Sequence, residues 1–225
     1  MQMFIIAELL DPKQCRQIQQ LLAEANFLEG RLTAGPGSQN VKRNLQGDPA
    51  DLQVQQAQKL IHDRLLGNAQ YRIMAVPRIV RPMTINRYDV GMSYGDHLDH
   101  PLLAGEPPAR GDVATTVFIS EPDSYDGGEL VIDSLSARPD IVKLPAGHAV
   151  CYPAGTLHRV NPVTRGSRLA AVTVAESRIQ DVTKREIFSD LSQLTRWVQD
   201  AAAGTPEERL ANKVYNNLMR LWCKS

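Results

Sequence analysis

The chain has 225 residues, with 25 Lys+Arg against 25 Asp+Glu and a formal net charge of zero. That balance argues against a basic nucleic-acid binder and against a polybasic membrane-surface protein, while the length is ample for one or two domains with a buried core. A hydrophobic share of 43% beside 22% charged residues is ordinary globular composition and argues against a disordered chain.

The zero conceals an uneven distribution. Residues 1–90 carry 11 basic and 8 acidic side chains, residues 91–177 carry 6 and 11, and residues 178–225 carry 8 and 6. The acidic middle also holds four of the five histidines. Cys15, Cys151 and Cys223 are odd in number and far apart, so neither a disulfide framework nor a cysteine zinc site follows from them. Reduced thiols, a poor signal sequence at the start and no stretch long enough to span a bilayer together suggest a cytoplasmic protein.

In chain order, Asp11-Pro12 reads as an N-cap and N1 proline, with Ile18, Leu21 and Leu22 on one face of the helix that follows. A second helix is predicted from Asp48-Pro49, with Leu52, Leu60, Ile61 and Leu65 as its apolar positions. Between them, Gly30 to Gly47, with Gly-Pro-Gly at 35–37, reads as a long loop, either disordered or a lid over a site. Lys42-Arg43-Asn44 within it reads as a solvated charge run, or as a selector of anionic or amide-rich substrates.

From Tyr71 to about Ala175 the pattern changes to short apolar and β-branched runs separated by Gly, Pro and Asp. Strands are predicted at 71–76, 83–88, 94–98, 113–120, 129–132, 141–144, 149–152, 157–160 and 168–175. A lead-in strand followed by eight more is the count of a jelly roll with helices packed outside. The tail returns to helix. Thr183 with Glu186 reads as a capping box before Ile187, Leu191, Leu194 and Val198. Thr205-Pro206 then caps a helix carrying Leu210, Val214, Leu218 and Trp222, each four apart. These two form an antiparallel hairpin that either covers the barrel or makes a homodimer, and the sequence leaves both open. The predicted class is mainly β with flanking helices. Residues 1–177 form the main domain, with N-terminal helices over 1–70 and the jelly roll over 71–177, and 178–225 are a helical extension.

The chemistry concentrates in Tyr88-Asp89-Val90-Gly91-Met92-Ser93-Tyr94-Gly95-Asp96-His97-Leu98-Asp99-His100. On an extended strand His97 and Asp99 share a face, because side chains alternate with period two. An imidazole and a carboxylate so placed can take adjacent positions on one cation. His158, 59 residues after Asp99, is the third candidate ligand, delivered by a turn onto a late strand. Two histidines and a carboxylate form the facial triad of non-haem Fe(II) oxygenases, which leaves three positions open. Arg168, ten residues further on, opens an otherwise apolar strand. A buried arginine is costly unless an anion meets it, and its planar fork suits a carboxylate. A keto dicarboxylate could chelate the metal at one end and reach Arg168 at the other, although a structural ion pair also accounts for that arginine alone.

These residues resemble the Fe(II)- and 2-oxoglutarate-dependent dioxygenases of the prolyl/lysyl hydroxylase superfamily, on His97-x-Asp99, His158 and Arg168, with Tyr88, Gly91 and Tyr94 before them and Tyr125-Asp126-Gly127-Gly128-Glu129-Leu130 between. The resemblance to bacterial PKHD-type hydroxylases, the PiuC-like iron-uptake factors, covers essentially the whole chain. It implies a double-stranded β-helix core, Fe(II) and 2-oxoglutarate as cofactors, L-ascorbate as supporting reductant, and O₂ with a small-molecule or peptidyl substrate. Carried over by position, His97, Asp99 and His158 bind iron, Arg168 binds the distal carboxylate of 2-oxoglutarate, and Tyr88 neighbours that co-substrate. Phe118 departs from the pattern: it stands where some eukaryotic relatives place a co-substrate tyrosine.

Other residues carry blander expectations. His100 faces away from the metal, His148 is a turn histidine, His62 is solvent-exposed and Cys151 is a small buried hydrophobe. Residues 101–111 form a rim loop. Two rival functions are a non-catalytic metal-binding jelly roll, acting as an iron sensor or accessory factor, and a zinc hydrolase with the same three ligands.

Overall fold

The computed structural model describes residues 3–33, 39–133 and 138–224, so the Gly-Pro-Gly at 35–37 lies outside the described residues. The chain opens with strand β1 (Phe4–Ile6) and helix α1 (Pro12–Ala23). Asp11 caps α1 in a reciprocal box: its carboxylate accepts from the Gln14 amide N–H at 2.8 Å, and the Gln14 side chain accepts from the Asp11 N–H at 3.0 Å. Strand β2 (Phe27–Glu29), a 3₁₀ turn (Gly30–Thr33), β3 (Lys42–Arg43) and β4 (Leu45–Gly47) follow. The end of the expected loop, residues 42–43 and 45–47, is therefore sheet. Its residues pair with neighbouring strands and so satisfy their backbone groups.

Helix α2 (Leu52–Gly67) starts after Asp51, not at Pro49. The Asp51 carboxylate accepts from the N–H groups of Gln53 and Val54, while Asp48 closes the preceding turn by accepting from Ala50 N–H. Residues 71–76, expected as a strand, belong instead to α3 (Ala69–Ala75). Asn68 caps this short helix by accepting from Tyr71 N–H at 2.8 Å, and Val76 ends it in the left-handed region. The lead-in strand is shifted to β5 (Pro77–Val80).

The jelly roll then runs β6 (Thr84–Tyr88), β7 (Ser93–His97), β8 (Leu102–Leu103), β9 (Ala109–Arg110), β10 (Val113–Phe118), β11 (Asp126–Gly127), β12 (Leu130–Asp133), β13 (Asp140–Val142), β14 (Ala149–Pro153), β15 (Leu157–Val160), β16 (Val163–Arg165) and β17 (Arg168–Ser177). One sheet has the order β1-β14-β10-β17-β6-β4-β2, with β5 also on β17, and faces a second with the order β13-β12-β15-β7-β3. All the recorded pairings are antiparallel. Strand β10 is buried on both faces. Val113 and Val117 join Ile18, Val54, Ile61 and Leu65 of α1 and α2 outside the larger sheet, whereas Ala114 and Phe118 point between the sheets. Cys151 is buried as expected.

Helices α4 (Val182–Ala201) and α5 (Pro206–Trp222) form the expected hairpin, with Thr205 capping α5. The cap of α4 is Asp181, whose carboxylate accepts from Lys184 N–H at 2.8 Å, not Thr183. Arg185 is fully buried and donates to the Ile179 carbonyl at 2.7 Å, while Phe188 packs on Tyr215 with ring centroids 5.0 Å apart.

Gly127 bends the chain into β12 at φ +71, and a Cβ there would come within 2.0 Å of the Pro162 carbonyl oxygen. Gly127→Ala is expected to cost about 1 kcal/mol or more. Thermal melting should show a loss of about 2–4 °C per kcal/mol for a chain of this size. An unchanged Tm would contradict the strain argument.

Candidate active site

Strands β7 and β15 pair antiparallel in the smaller sheet, with His97 directly opposite His158. Their ring centroids are 4.2 Å apart. Strand β7 ends at His97, so Asp99 is delivered by the chain just beyond it and not by the strand. The three residues nevertheless converge: one ligand atom from each of His97, Asp99 and His158 lies within 4.8 Å of the others.

Both rings are oriented from behind. His97 Nδ1 lies 2.8 Å from the Gly95 carbonyl and His158 Nδ1 lies 2.9 Å from the Thr156 carbonyl. A carbonyl can only accept, so each Nδ1 carries the proton and donates, leaving the Nε2 lone pair free for a cation. Tyr94 stacks on His97 at 3.5 Å, and Tyr152 meets His158 edge-on. Burial, followed by the neighbouring His158, pushes the His97 pKa down to about 4 against the pull of the Gly95 carbonyl. This ring is therefore neutral at physiological pH.

The Asp99 carboxyl is raised by burial, with His158 and His100 pulling the other way. Its Oδ2 is buried without a hydrogen-bond partner among the described residues. A partnerless buried carboxylate is unfavourable, and a divalent cation at the three ligands removes the penalty. The donor set and the orphaned oxygen thus fit an octahedral metal with open positions.

Arg168 starts β17 opposite Tyr88 of β6 and is 2% exposed. Its Nε and Nη2 are buried without partners among the described residues, and among those residues no ion pair to a carboxylate accounts for it. The guanidinium lies over the rings of Tyr88 at 5.3 Å and Phe118 at 5.4 Å. Phe118 therefore flanks the cation with a π face where a tyrosine would offer a hydroxyl. Burial pushes Tyr88 up to about 12, partly offset by Arg168. A fork-shaped, desolvated cation with unused donors fits the distal carboxylate of a keto dicarboxylate.

A cavity of about 570 Å³ connects these groups between the sheets, lined by Lys42, Tyr94, His97, Asp99, His158 and Arg168, among others. Lys42 departs from the expected solvated charge run. It is 7% exposed, not a solvated charge, because β3 pairs with β7 and sets Lys42 opposite Tyr94. Burial lowers its pKa to about 8, and its Nζ sits 5.4 Å from the Tyr94 ring centroid. Asn44, where the chain crosses from β3 to β4, and Gln46 of β4 both donate to the Asn86 side-chain oxygen, at 2.8 and 3.1 Å.

His100 is exposed at the cavity edge and stands outside the ligand group. Leu103 of the β8–β9 ribbon lines the cavity, so residues 101–111 do form part of its rim. His148 is half-buried in a separate small depression with Cys15 and Glu121. His62 departs from expectation: it is half-buried, with its Nε2 enclosed and without a partner among the described residues.

Comparison with known proteins agrees with this geometry. Residues 83–174 match the 2OG-Fe(II) oxygenase superfamily. A PKHD-type hydroxylase of Gloeothece citriformis is 40% identical over 98% of this chain and 99% of its own length. Another from Delftia acidovorans is 41% identical, covering 99% of this chain and all of the relative. In fold, the chain is similar to a Pseudomonas putida prolyl-4-hydroxylase, with a TM-score of 0.55 at 20% identity over 78% of this chain and 92% of that one. It is also similar to a Trichoplax adhaerens prolyl hydroxylase solved with a peptide fragment of hypoxia inducible factor, with a TM-score of 0.56 at 15% identity over 84% of this chain and 86% of that one. The His-Asp-His centre and the full-length likeness together place the chain in the PKHD-type hydroxylases, within the 2OG-Fe(II) oxygenase superfamily, as a 2-oxoglutarate-dependent dioxygenase.

Proposed function

We propose that His97, Asp99 and His158 hold the ferrous ion, that Arg168 takes the distal carboxylate of 2-oxoglutarate, and that Tyr88 forms the wall beside it. The observation that carries this reading is the set of unused buried groups pointing to one cavity: the Asp99 Oδ2 and the Arg168 Nε and Nη2. When bound, the iron and the keto acid supply oxidative decarboxylation to succinate and CO₂, coupled to hydroxylation by O₂. The chain's own part is positional. The Gly95 and Thr156 carbonyls hold the imidazoles in register, and Asp99 supplies the anionic ligand. Arg168 fixes the co-substrate at one end, so its keto end falls toward the three ligands.

The family supplies Fe(II) and 2-oxoglutarate as cofactors. L-ascorbate as a supporting reductant, a cytoplasmic location and a link to iron uptake complete the reading. Within it, residues 1–177 are the catalytic domain and 178–225 an extension. A prolyl or lysyl side chain in a peptide is the favoured substrate. The exposed Leu28, Leu32 and Leu98 ring the cavity mouth, where residues flanking a target side chain would rest. Two fold neighbours named as prolyl hydroxylases point the same way. A sensor needs no buried guanidinium aimed into the cavity, so Arg168 counts against the non-catalytic alternative.

Succinate release with Fe(II), 2-oxoglutarate, ascorbate and candidate peptides tests the reading. His158→Ala should reduce it to background while the fold is kept. Arg168→Ala should raise the KM for 2-oxoglutarate about tenfold or more, the scale of a lost charge-assisted pair, with Fe(II) affinity nearly unchanged. An unaltered KM would remove Arg168 from the co-substrate site.

The His97 ring offers an independent check. Its folded pKa of about 4 lies below that of a free ring, so the unfolded chain takes up a proton first as pH falls. Its neutral form therefore weakens the metal-free fold progressively from about pH 6.5 down to its folded pKa. In metal-free protein its NMR signal should titrate near the lower value, and a midpoint near that of free histidine would contradict the buried, carbonyl-held geometry.

A further inference from the structure

Helix α4 is amphipathic in the reverse of the usual sense. Its buried residues are Arg185, Phe188, Ser189, Ser192 and Thr195, which are mostly polar. The apolar positions at helical spacing, Ile187, Leu191, Leu194 and Val198, do not form that face. Ile187 is 47% and Leu194 55% exposed, with Trp197 beside them at 66%. Helix α5 has no fully buried residue, and Leu210, Val214 and Leu221 are exposed along it.

The two stripes lie on one side of the hairpin. The helices meet through Phe188 against Tyr215 and through Gln199, which donates to the Asn212 side-chain oxygen at 2.8 Å. Ile187 and Val198 each precede an inward residue of α4, and Val214 precedes one of α5. Leu221 likewise precedes Trp222, which packs against the Phe188 cluster. One residue is a turn of about 100°. In an antiparallel pair the same offset on both helices rotates to the same side, so the stripes form a continuous surface. No residue of α4 or α5 is among the described residues lining the cavity, so this surface does not cover the catalytic centre.

We propose that this face is the contact surface of a homodimer, in which the α4–α5 hairpins of two copies pack into a four-helix bundle. Its area suits a second copy. Ile187, Leu194, Trp197, Leu210, Val214 and Leu221 leave roughly 650 Å² in water, at the top of the range for the largest patch of a monomer and approaching the ~800 Å² per partner of a stable interface. Its charges suit a copy of itself as well. Asp190 on α4 lies three residues after Ile187, and Lys213 on α5 lies three after Leu210; both are exposed. Setting α4 of one copy against α5 of the other brings these opposite charges to the rim of the apolar stripe twice over, by symmetry. Trp197, large and exposed at the edge, is the anchor.

The proposal does not depend on the assignment of metal or co-substrate residues. Light scattering on the full chain at micromolar concentration should give twice the 24.9 kDa chain mass. Leu194→Asp with Leu210→Asp should give a monomer with an unchanged circular dichroism spectrum. Should that double variant fail to fold, Trp197→Ala is read instead, with the dimer's dissociation constant raised about tenfold or more. Asp190→Lys should weaken the dimer, and adding Lys213→Asp should restore it. A wild-type monomer would overturn the proposal and leave the face to a different partner. A dimer indifferent to all of these substitutions would overturn it equally, by placing the interface elsewhere.

Discussion

The site rests on one register: the antiparallel pairing of β7 with β15 that sets His97 opposite His158. A slip of one residue in either strand would turn that strand's imidazole out of the interior, since neighbouring side chains on a strand face opposite ways. The register is held on each flank. Strand β15 also pairs with β12, and β7 also pairs with β3, which brings Lys42 over Tyr94 and Tyr94 onto His97. The Gly95 and Thr156 carbonyls then fix how each ring turns about its own bond. Sheet pairing sets position, and local backbone sets orientation.

Around that pair the interior is polar in a selective way. Most of the space between the sheets is filled by Phe118, Leu130, Ile132, Val150 and their neighbours. At one end this packing opens into a cavity where a carboxylate oxygen and two nitrogens of an arginine fork are buried without partners among the described residues. Such groups burden the metal-free fold, because desolvation is not compensated. Ligand and metal binding relieve the burden, so binding and stability are linked. The aromatic faces of Tyr88 and Phe118 hold the guanidinium without neutralising it, which keeps it available to an anion.

The site was largely legible in the chain because period-two alternation and the cost of a buried arginine are local arguments. They bring together His97, Asp99, His158 and Arg168. Asp99 shows their limit: it shares the cavity with His97 although β7 has ended before it. Lys42 was hidden because β3 is two residues long and its burial comes from a partner strand about fifty positions away. Residues 71–76 read as strand from their β-branched and aromatic content, but the Asn68 cap and burial of Tyr71 override propensity. In α4 the 3.6-residue period was correct, yet the period does not say which face meets the body; the buried face is the one carrying Arg185 and Ser189.

The central claim is that three side chains form one metal site and Arg168 completes the co-substrate site beside it. It is tested most directly by anaerobic titration of the metal-free protein with Fe(II) and 2-oxoglutarate, following the charge-transfer absorption of a keto acid chelated to ferrous iron. The account predicts one iron per chain and a saturable band in the wild type. It also predicts no band in Asp99→Ala and, for Arg168→Lys, the same band reached only at higher 2-oxoglutarate. A band that survives loss of Asp99, or that saturates equally well without the arginine fork, would contradict it.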